Sequence, residues 1–159
     1  MMPWNALSKM SKSNRSEALT TNNTYSLSVK ASTGQIATVR NFVAQHALSF
    51  GFSEHEVENI RLAVDEAFTN IIKHAYNYDS SRPVYIKLQF IGNMFSISLY
   101  DHGEPFDTSN YSIPNVQEQI KAKKRGGVGV YLIKQLMDSV NYNRNQGVNE
   151  IRMIKKKEH

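Results

Sequence analysis

Glu66 and Asn70 stand four residues apart in Asp65-Glu66-Ala67-Phe68-Thr69-Asn70, within a stretch of helical periodicity. Residues so spaced share one helix face, about one turn apart. At roughly 100° per residue that face flanks the apolar stripe rather than joining it. His74 continues the same line. A carboxylate followed one turn later by an amide oxygen suits a hard divalent cation that keeps several waters. The same carboxylate could instead act as a general base toward a hydroxyl or water. Taken alone, the pair also reads as an ordinary polar helix flank, and His74 as a hydrogen-bonded flank residue before a metal ligand.

Two glycine clusters follow. Asp101-His102-Gly103-Glu104-Pro105-Phe106-Asp107 closes a segment of strand periodicity. A carboxylate at a strand end can accept from an exocyclic amine, and Gly103 would let a flat base approach the backbone. A plain Asp-Xaa-Gly turn has the same sequence. Arg125-Gly126-Gly127-Val128-Gly129-Val130 precedes a predicted helix. Helix N-termini present free amides and a positive dipole end, which attract phosphate. The spacing is not a Walker loop, because no Lys-Ser or Lys-Thr follows, and not a dinucleotide fingerprint, because a charged loop precedes it. A flexible helix start is the alternative. The run Lys121-Ala122-Lys123-Lys124-Arg125 sets cations where they could neutralise a polyphosphate. Three such pieces, each at the end of an element, read together as a nucleotide site with a metal.

The elements that would position these residues are legible in outline. Tyr25 to Lys30 alternates as a strand. A helix is expected over 34–50, with Ile36, Val39, Phe42 or Val43, and Ala47 inward and Gly51 as its stop. Ser53 and Glu56 form a capping-box pattern opening a helix expected over 54–76, with Val57, Ile60, Val64, Phe68, Ile71 and Ala75 as its stripe. Strands over 84–90 and 94–100 flank Ile91-Gly92-Asn93, a hairpin signal. A third helix is expected over 128–140, then a hairpin joining Asn141-Tyr142-Asn143 to Ile151-Arg152-Met153-Ile154 through Gln146-Gly147. Hairpin neighbours imply an α+β fold with a mostly antiparallel sheet and helices on one face. The stretch 104–127 is long for a connector, and such connectors are usually functional or disordered.

Composition narrows the function classes. The chain has 159 residues, enough for one domain with a proper core. Met1 to Asn23 is polar and reads as a flexible tail rather than a secretory signal, leaving 24–157 as the expected domain. No apolar run approaches the roughly eighteen residues of a membrane span. The absence of cysteine excludes disulfides and thiolate chemistry and fits a reducing cytoplasm. The net charge of +5 invites a nucleic-acid reading. However, Lys155-Lys156-Lys157 reads as a solvated end, the first basic run is absorbed by the glycine cluster, and no exposed aromatic stripe would stack bases. No direct nucleic-acid partner is expected. There is also no serine nucleophile elbow and no paired-histidine metal motif.

The combined pattern resembles the GHKL (Bergerat-fold) ATPases, most closely the anti-sigma-factor serine-protein kinases of bacterial partner-switching systems. The residues that carry the likeness are 62–76, with Asp65-Glu66-Ala67-Phe68-Thr69-Asn70 at their centre, then 101–107, then 126–138 beginning Gly126-Gly127-Val128-Gly129-Val130. The resemblance implies a two-layer α/β sandwich binding ATP and Mg²⁺. It makes Asn70 the magnesium ligand and Glu66 the general base, and sets Asp101 on the adenine amine with Gly103 beside the base. Gly127 and Gly129 would touch phosphates. His74, Phe106, Lys124, Arg125, Gly126, Val128 and Val130 are the further nucleotide positions, and 104–125 would form a lid. Pro105 stands where the wider superfamily often has a second glycine, and it stiffens that segment. No phosphoacceptor-histidine helix precedes the three blocks, which sets the chain apart from autophosphorylating histidine kinases. The implied function is an ATP-dependent serine/threonine-protein kinase and anti-sigma factor that phosphorylates a STAS-domain antagonist, as a homodimer that also holds a sigma factor. The alternative is a nucleotide-binding sequestration module without effective kinase activity.

Overall fold

The computed structural model describes residues 23–106 and 127–158. Most of the expected tail, most of the expected lid, and Lys124, Arg125 and Gly126 lie outside those residues. The described chain runs β1 (Asn23–Lys30), a short 3-10 turn (Thr33–Gln35), α1 (Ile36–Phe50), α2 (Glu54–Asn70), a π-turn (Ile71–Ala75), β2 (Pro83–Ile91), β3 (Met94–Asp101), α3 (Gly127–Leu136), β4 (Ser139–Asn145) and β5 (Val148–Lys156). The five strands form one sheet in the order β1-β2-β3-β5-β4. Every neighbouring pair is antiparallel. The last hairpin therefore inserts β5 directly against β3.

Strand alternation decides which residues meet the helices. Ile86 and Leu88 of β2, and Ile97 and Leu99 of β3, are fully buried in one cluster with Val43 of α1 and Phe68 of α2. On β5 the same face carries Asn149, Ile151 and Met153, and the register sets Asn149 opposite Asp101. The first hairpin turns at Gly92, with φ of +60°, and the second at Gln146 and Gly147, with φ of +51° and +80°. All three values belong to the hairpin turns that match strand twist. Ser53 and Glu56 form the expected capping box, with Ser53 N–H donating to Glu56 Oε1 at 3.0 Å and Glu56 N–H to Ser53 Oγ at 3.2 Å. One end of the core is filled by aromatic rings, Phe90 stacking on Phe95 at 4.6 Å and on Phe50 at 4.1 Å. Among the described residues no helix is long and apolar enough to cross a membrane.

Two expectations are corrected. The third helix ends at Leu136, and Val140 pairs with Met153 in β4 rather than extending the helix. The strand wins because Asp138 is bound from both directions. Its N–H donates to Ile154 O at 2.9 Å, and its Oδ2 accepts from Lys156 N–H at 2.6 Å. Lys155 Nζ then donates to Leu136 O at 2.9 Å, satisfying a helix-terminal carbonyl. The second helix does not run unbroken to Tyr76. Beyond Asn70 it widens into the π-turn, and Tyr76 N–H donates to Ile71 O at 3.0 Å across five residues. Single π-turns within helices recur at functional sites.

Tyr76 explains why the widening is stable. Its hydroxyl donates to Pro83 O at 2.7 Å and accepts from His102 N–H at 2.8 Å, tying the helix end to β2 and to the residue after Asp101. Arg82 lies over its ring at 4.7 Å and donates to His102 O at 3.2 Å. Removing the hydroxyl leaves a carbonyl and an amide without their partner. Tyr76→Phe is therefore expected to lower unfolding free energy by about 1–3 kcal/mol, read by urea denaturation. An unchanged midpoint would show that the hydroxyl is not holding the turn.

Candidate functional site

At the end of the core away from Phe50, Phe90 and Phe95, apolar packing gives way to a cavity of ≈ 170 Å³. Its walls include Asn70 and Ile71 from the α2–π junction, Asp101 from the end of β3, Phe106, Tyr142 from β4 and Asn149 from β5. The rings of Phe106 and Tyr142 stack on each other at 4.7 Å with planes 8° apart, and both line the cavity. Ala67 and Ala75 line the same space, so small side chains on the helix side leave it open.

Asp101 is 4% exposed. Burial pushes its carboxyl above the ordinary aspartate value, opposed by the Asn149 amide, the Gly103 N–H, and the charges of His102 and Arg144. Gly103 N–H and Asn149 Nδ2 both donate to Oδ1 at 2.8 Å. Among the described residues no donor reaches Oδ2, which leaves that oxygen for a ligand in the cavity. Asn149 Nδ2 also donates to Glu104 O at 2.9 Å and Gly103 O at 3.2 Å. The residue's own Oδ1 accepts from Arg144 at 2.7 Å. The loop after β3 is thus stapled to β5.

The third cluster meets the helix pair at Gly129. A Cβ there would stand 2.5 Å from Glu66 Oε2 and 3.6 Å from Asn70 Oδ1. The first turn of α3 therefore lies directly against the carboxylate and amide of α2. Burial raises the Glu66 pKa, with Asp65 adding to the rise and Lys73 opposing it.

The expected residues divide into groups. Glu66, Asn70 and the backbone of Gly129 come together, while Asn70, Asp101 and Phe106 share the cavity. Gly127 and Val128 open α3. Val130 is fully buried, so only its backbone could meet a ligand. Gly103 also has a steric requirement of its own. A Cβ there would overlap the carbonyl oxygen of Ala75, which accepts from Glu104 N–H at 2.8 Å. His74 is not among the cavity residues, and its Nε2 is buried with no hydrogen-bond partner among the described residues. The line from Glu66 through Asn70 assumed an unbroken α-helix, and the π-turn breaks that register. Tyr76, Tyr142, Arg144 and Asn149 carry no role in the sequence reading. Asn149 alone left a signal, as a polar residue in phase with the inward Ile151 and Met153.

The donor set can be compared with the group it would hold. Among the described residues no three His, Asp or Glu side chains gather as a self-sufficient metal cage. One buried amide oxygen, Asn70 Oδ1, beside one carboxylate fits Mg²⁺, which keeps its waters and takes its remaining ligands from substrate phosphates. The amides of the first α3 turn fit those phosphates.

The fold is a two-layer α+β sandwich with this cavity at one end of its sheet. Residues 29–155 match the histidine kinase-like ATPase domain, and the chain belongs to that family. It is 31% identical over 126 residues to the serine-protein kinase RsbW of Oceanobacillus iheyensis, covering 77% of this chain and 80% of that protein. The corresponding kinase of Bacillus subtilis is 28% identical over 129 residues, covering 77% and 79%. The fold is similar to the RsbU and RsbW domains of Rv1364c from Mycobacterium tuberculosis, with a TM-score of 0.61 at 14% identity over 84% of this chain and 32% of that one. It is also similar to a chain of the SiaB–SiaC complex from Pseudomonas aeruginosa, with a TM-score of 0.59 at 12% identity over 94% and 97%.

The two glycines predict different failures. Gly103→Ala drives a methyl into backbone, which cannot move aside. It is expected to cost about 1–3 kcal/mol or more of stability, measured by thermal and urea unfolding. Gly129→Ala meets the mobile end of a carboxylate instead. Its expected effect is about tenfold weaker nucleotide binding, near 1.4 kcal/mol, by titration calorimetry, at nearly unchanged stability. A reversed pattern would contradict the packing described.

Proposed function

We propose that this protein is an ATP-dependent serine/threonine-protein kinase whose domain spans residues 24–157. Its substrate is a STAS-domain antagonist protein, and it alternately sequesters a sigma factor or equivalent regulator, as a cytoplasmic homodimer. The observation that carries the reading is the meeting of Glu66, Asn70 and the α3 N-terminus at Gly129, beside the cavity that ends at Asp101. Membership of the ATPase family and likeness to proteins named serine-protein kinases support it.

In this reading Asp101 Oδ2 accepts from the base amine, and the Phe106–Tyr142 pair lines the base end. Amides of α3 would receive the phosphates, and Asn70 Oδ1 would hold magnesium, which would supply positive charge to offset that of the phosphates. Glu66 Oε2 accepts the proton of a serine or threonine hydroxyl as that oxygen bonds to the γ-phosphorus and the bond from that phosphorus to the β–γ bridging oxygen breaks, so that ADP leaves with the electron pair. The phosphate then adds charge at the antagonist's contact surface and releases it.

The test incubates the purified protein with Mg-ATP and a candidate STAS partner and follows phosphate on the partner. Glu66→Gln is expected to slow transfer by about 100-fold or more while ATP binding persists. Equal transfer by both proteins would remove Glu66 as the base. Nucleotide binding and partner capture without transfer would leave a sequestration module. The pH profile has a definite sign. Glu66 must be ionised to accept a proton, and its pKa is raised above 4.5, so the rate falls, as pH drops, at a pH above the ordinary glutamate value. Lys73 pulls that pKa down. Lys73→Met is therefore expected to move the acid limb of the rate to higher pH, and a limb that stays put would exclude Glu66 as its source.

A further inference from the structure

Asp101 lies at the base end of the proposed nucleotide site, but what it can accept depends on residues that no motif includes. Arg144 sits on β4 and Asn149 on β5, cross-strand partners in the last hairpin. Arginine carries only donors. Its contact at 2.7 Å, together with the Glu104 and Gly103 carbonyls that accept from Nδ2 at 2.9 and 3.2 Å, therefore sets the Asn149 oxygen toward Arg144 and the amide NH₂ toward Asp101. A second donor from the same arginine nitrogen, to Gly103 O at 3.0 Å, holds both ends of the arrangement together.

This orientation has a chemical consequence. With Asn149 Nδ2 and Gly103 N–H both donating to Oδ1, the carboxylate is stabilised as an acceptor-only group. Its free oxygen can then receive a 6-amino purine edge and rejects a 6-oxo edge, which would set oxygen against oxygen. If the amide were reversed, its carbonyl would face the carboxylate. Asp101 would have to protonate, becoming a donor that welcomes the 6-oxo edge. We propose that Arg144 and Asn149 are the specificity-determining pair of this site, with Arg144 holding the oxygen side of the Asn149 amide, opposite the Gly103 and Glu104 carbonyls, so that Asp101 selects 6-amino over 6-oxo purine nucleotides. Neither residue is placed against the phosphates or the transferring group, so both are positioning residues. The proposal rests on reading the cavity as a nucleotide site and adds the origin of its base selectivity.

The experiment measures dissociation constants of the full chain for ATP and for ITP, its 6-oxo counterpart, by titration calorimetry with magnesium. The wild type is expected to prefer ATP by about 100-fold or more, since a site built to pair a polar group strongly rejects its mismatch. Asn149→Leu removes the amide at similar size and is expected to narrow the ratio by about tenfold or more, equivalent to 1.4 kcal/mol. Because Asn149 is buried, Arg144→Met provides a variant at an exposed position. It is expected to narrow the ratio as well. Arg144→Lys is expected to restore it, because an ammonium can donate to both Gly103 O and Asn149 Oδ1. A merely structural role would weaken both nucleotides equally in Arg144→Met and leave the ratio intact, which overturns the proposal. A wild type that binds both nucleotides alike overturns it while the nucleotide reading stands. A wild type that binds neither overturns both.

Discussion

A carboxylate that is 4% exposed must find its hydrogen bonds inside the protein. Asp101 finds them in the Gly103 amide and the Asn149 side chain, and much of the surrounding structure follows from that requirement. Asn149 can reach Asp101 only because β5 lies beside β3 in a register that sets the two opposite each other. The order β1-β2-β3-β5-β4 is therefore a condition of the site as well as a way of burying Ile151 and Met153. Gly103 must fold back over its own aspartate, which brings it onto the Ala75 carbonyl, where a side chain has no room. One buried charge thus ties together the sheet order, a glycine and the end of a helix.

The legible parts of the sequence were those where local chemistry and tertiary packing agree. The capping box at Ser53 and Glu56 and both hairpin turns satisfy backbone groups within a few residues, so their signals are complete in the sequence. The stripe from Val57 to Phe68 is regular because one helix face meets one sheet face. The π-turn was hidden because α and π geometry draw on the same residue types. What selects the wider turn is the Tyr76 hydroxyl reaching Pro83 and His102, seven and twenty-six residues away. Val140 misled for a related reason. It fits an apolar helix stripe, yet Asp138 binds β5 from both sides and forces the chain into a strand. In the site, Glu66, Asn70 and Asp101 stood out by type and spacing. Arg144 did not, because an arginine near a hairpin turn is usually a solvated charge and gains meaning only beside Asn149.

The core itself is graded along its length. β3 begins at the Phe90–Phe95 stack and ends at Asp101, and α2 runs the same way from the buried Val57 to Asn70. Dispersion and apolar burial fix the first end without directional demands. The second end is held by hydrogen bonds whose donors and acceptors are matched one by one, at Tyr76, Arg82, Arg144 and Asn149. A rigid apolar end lets the polar end remain hollow, since the cavity walls are continuations of strands and helices anchored elsewhere.

Glu66 shows how closely burial and reactivity are joined here. The carboxylate is desolvated partly because the first turn of α3 comes within contact of it, and that approach is open only because residue 129 has no side chain. Desolvation raises its proton affinity, which strengthens it as a base, while Lys73 keeps the rise in check. A helix N-terminus brought so near would by itself favour the ionised form. The raised pKa therefore means that exclusion of water outweighs the pull of Lys73. The same glycine that lets the α3 N-terminus approach the proposed phosphate site also lies against the Glu66 carboxylate, so a side chain at 129 would disturb both at once.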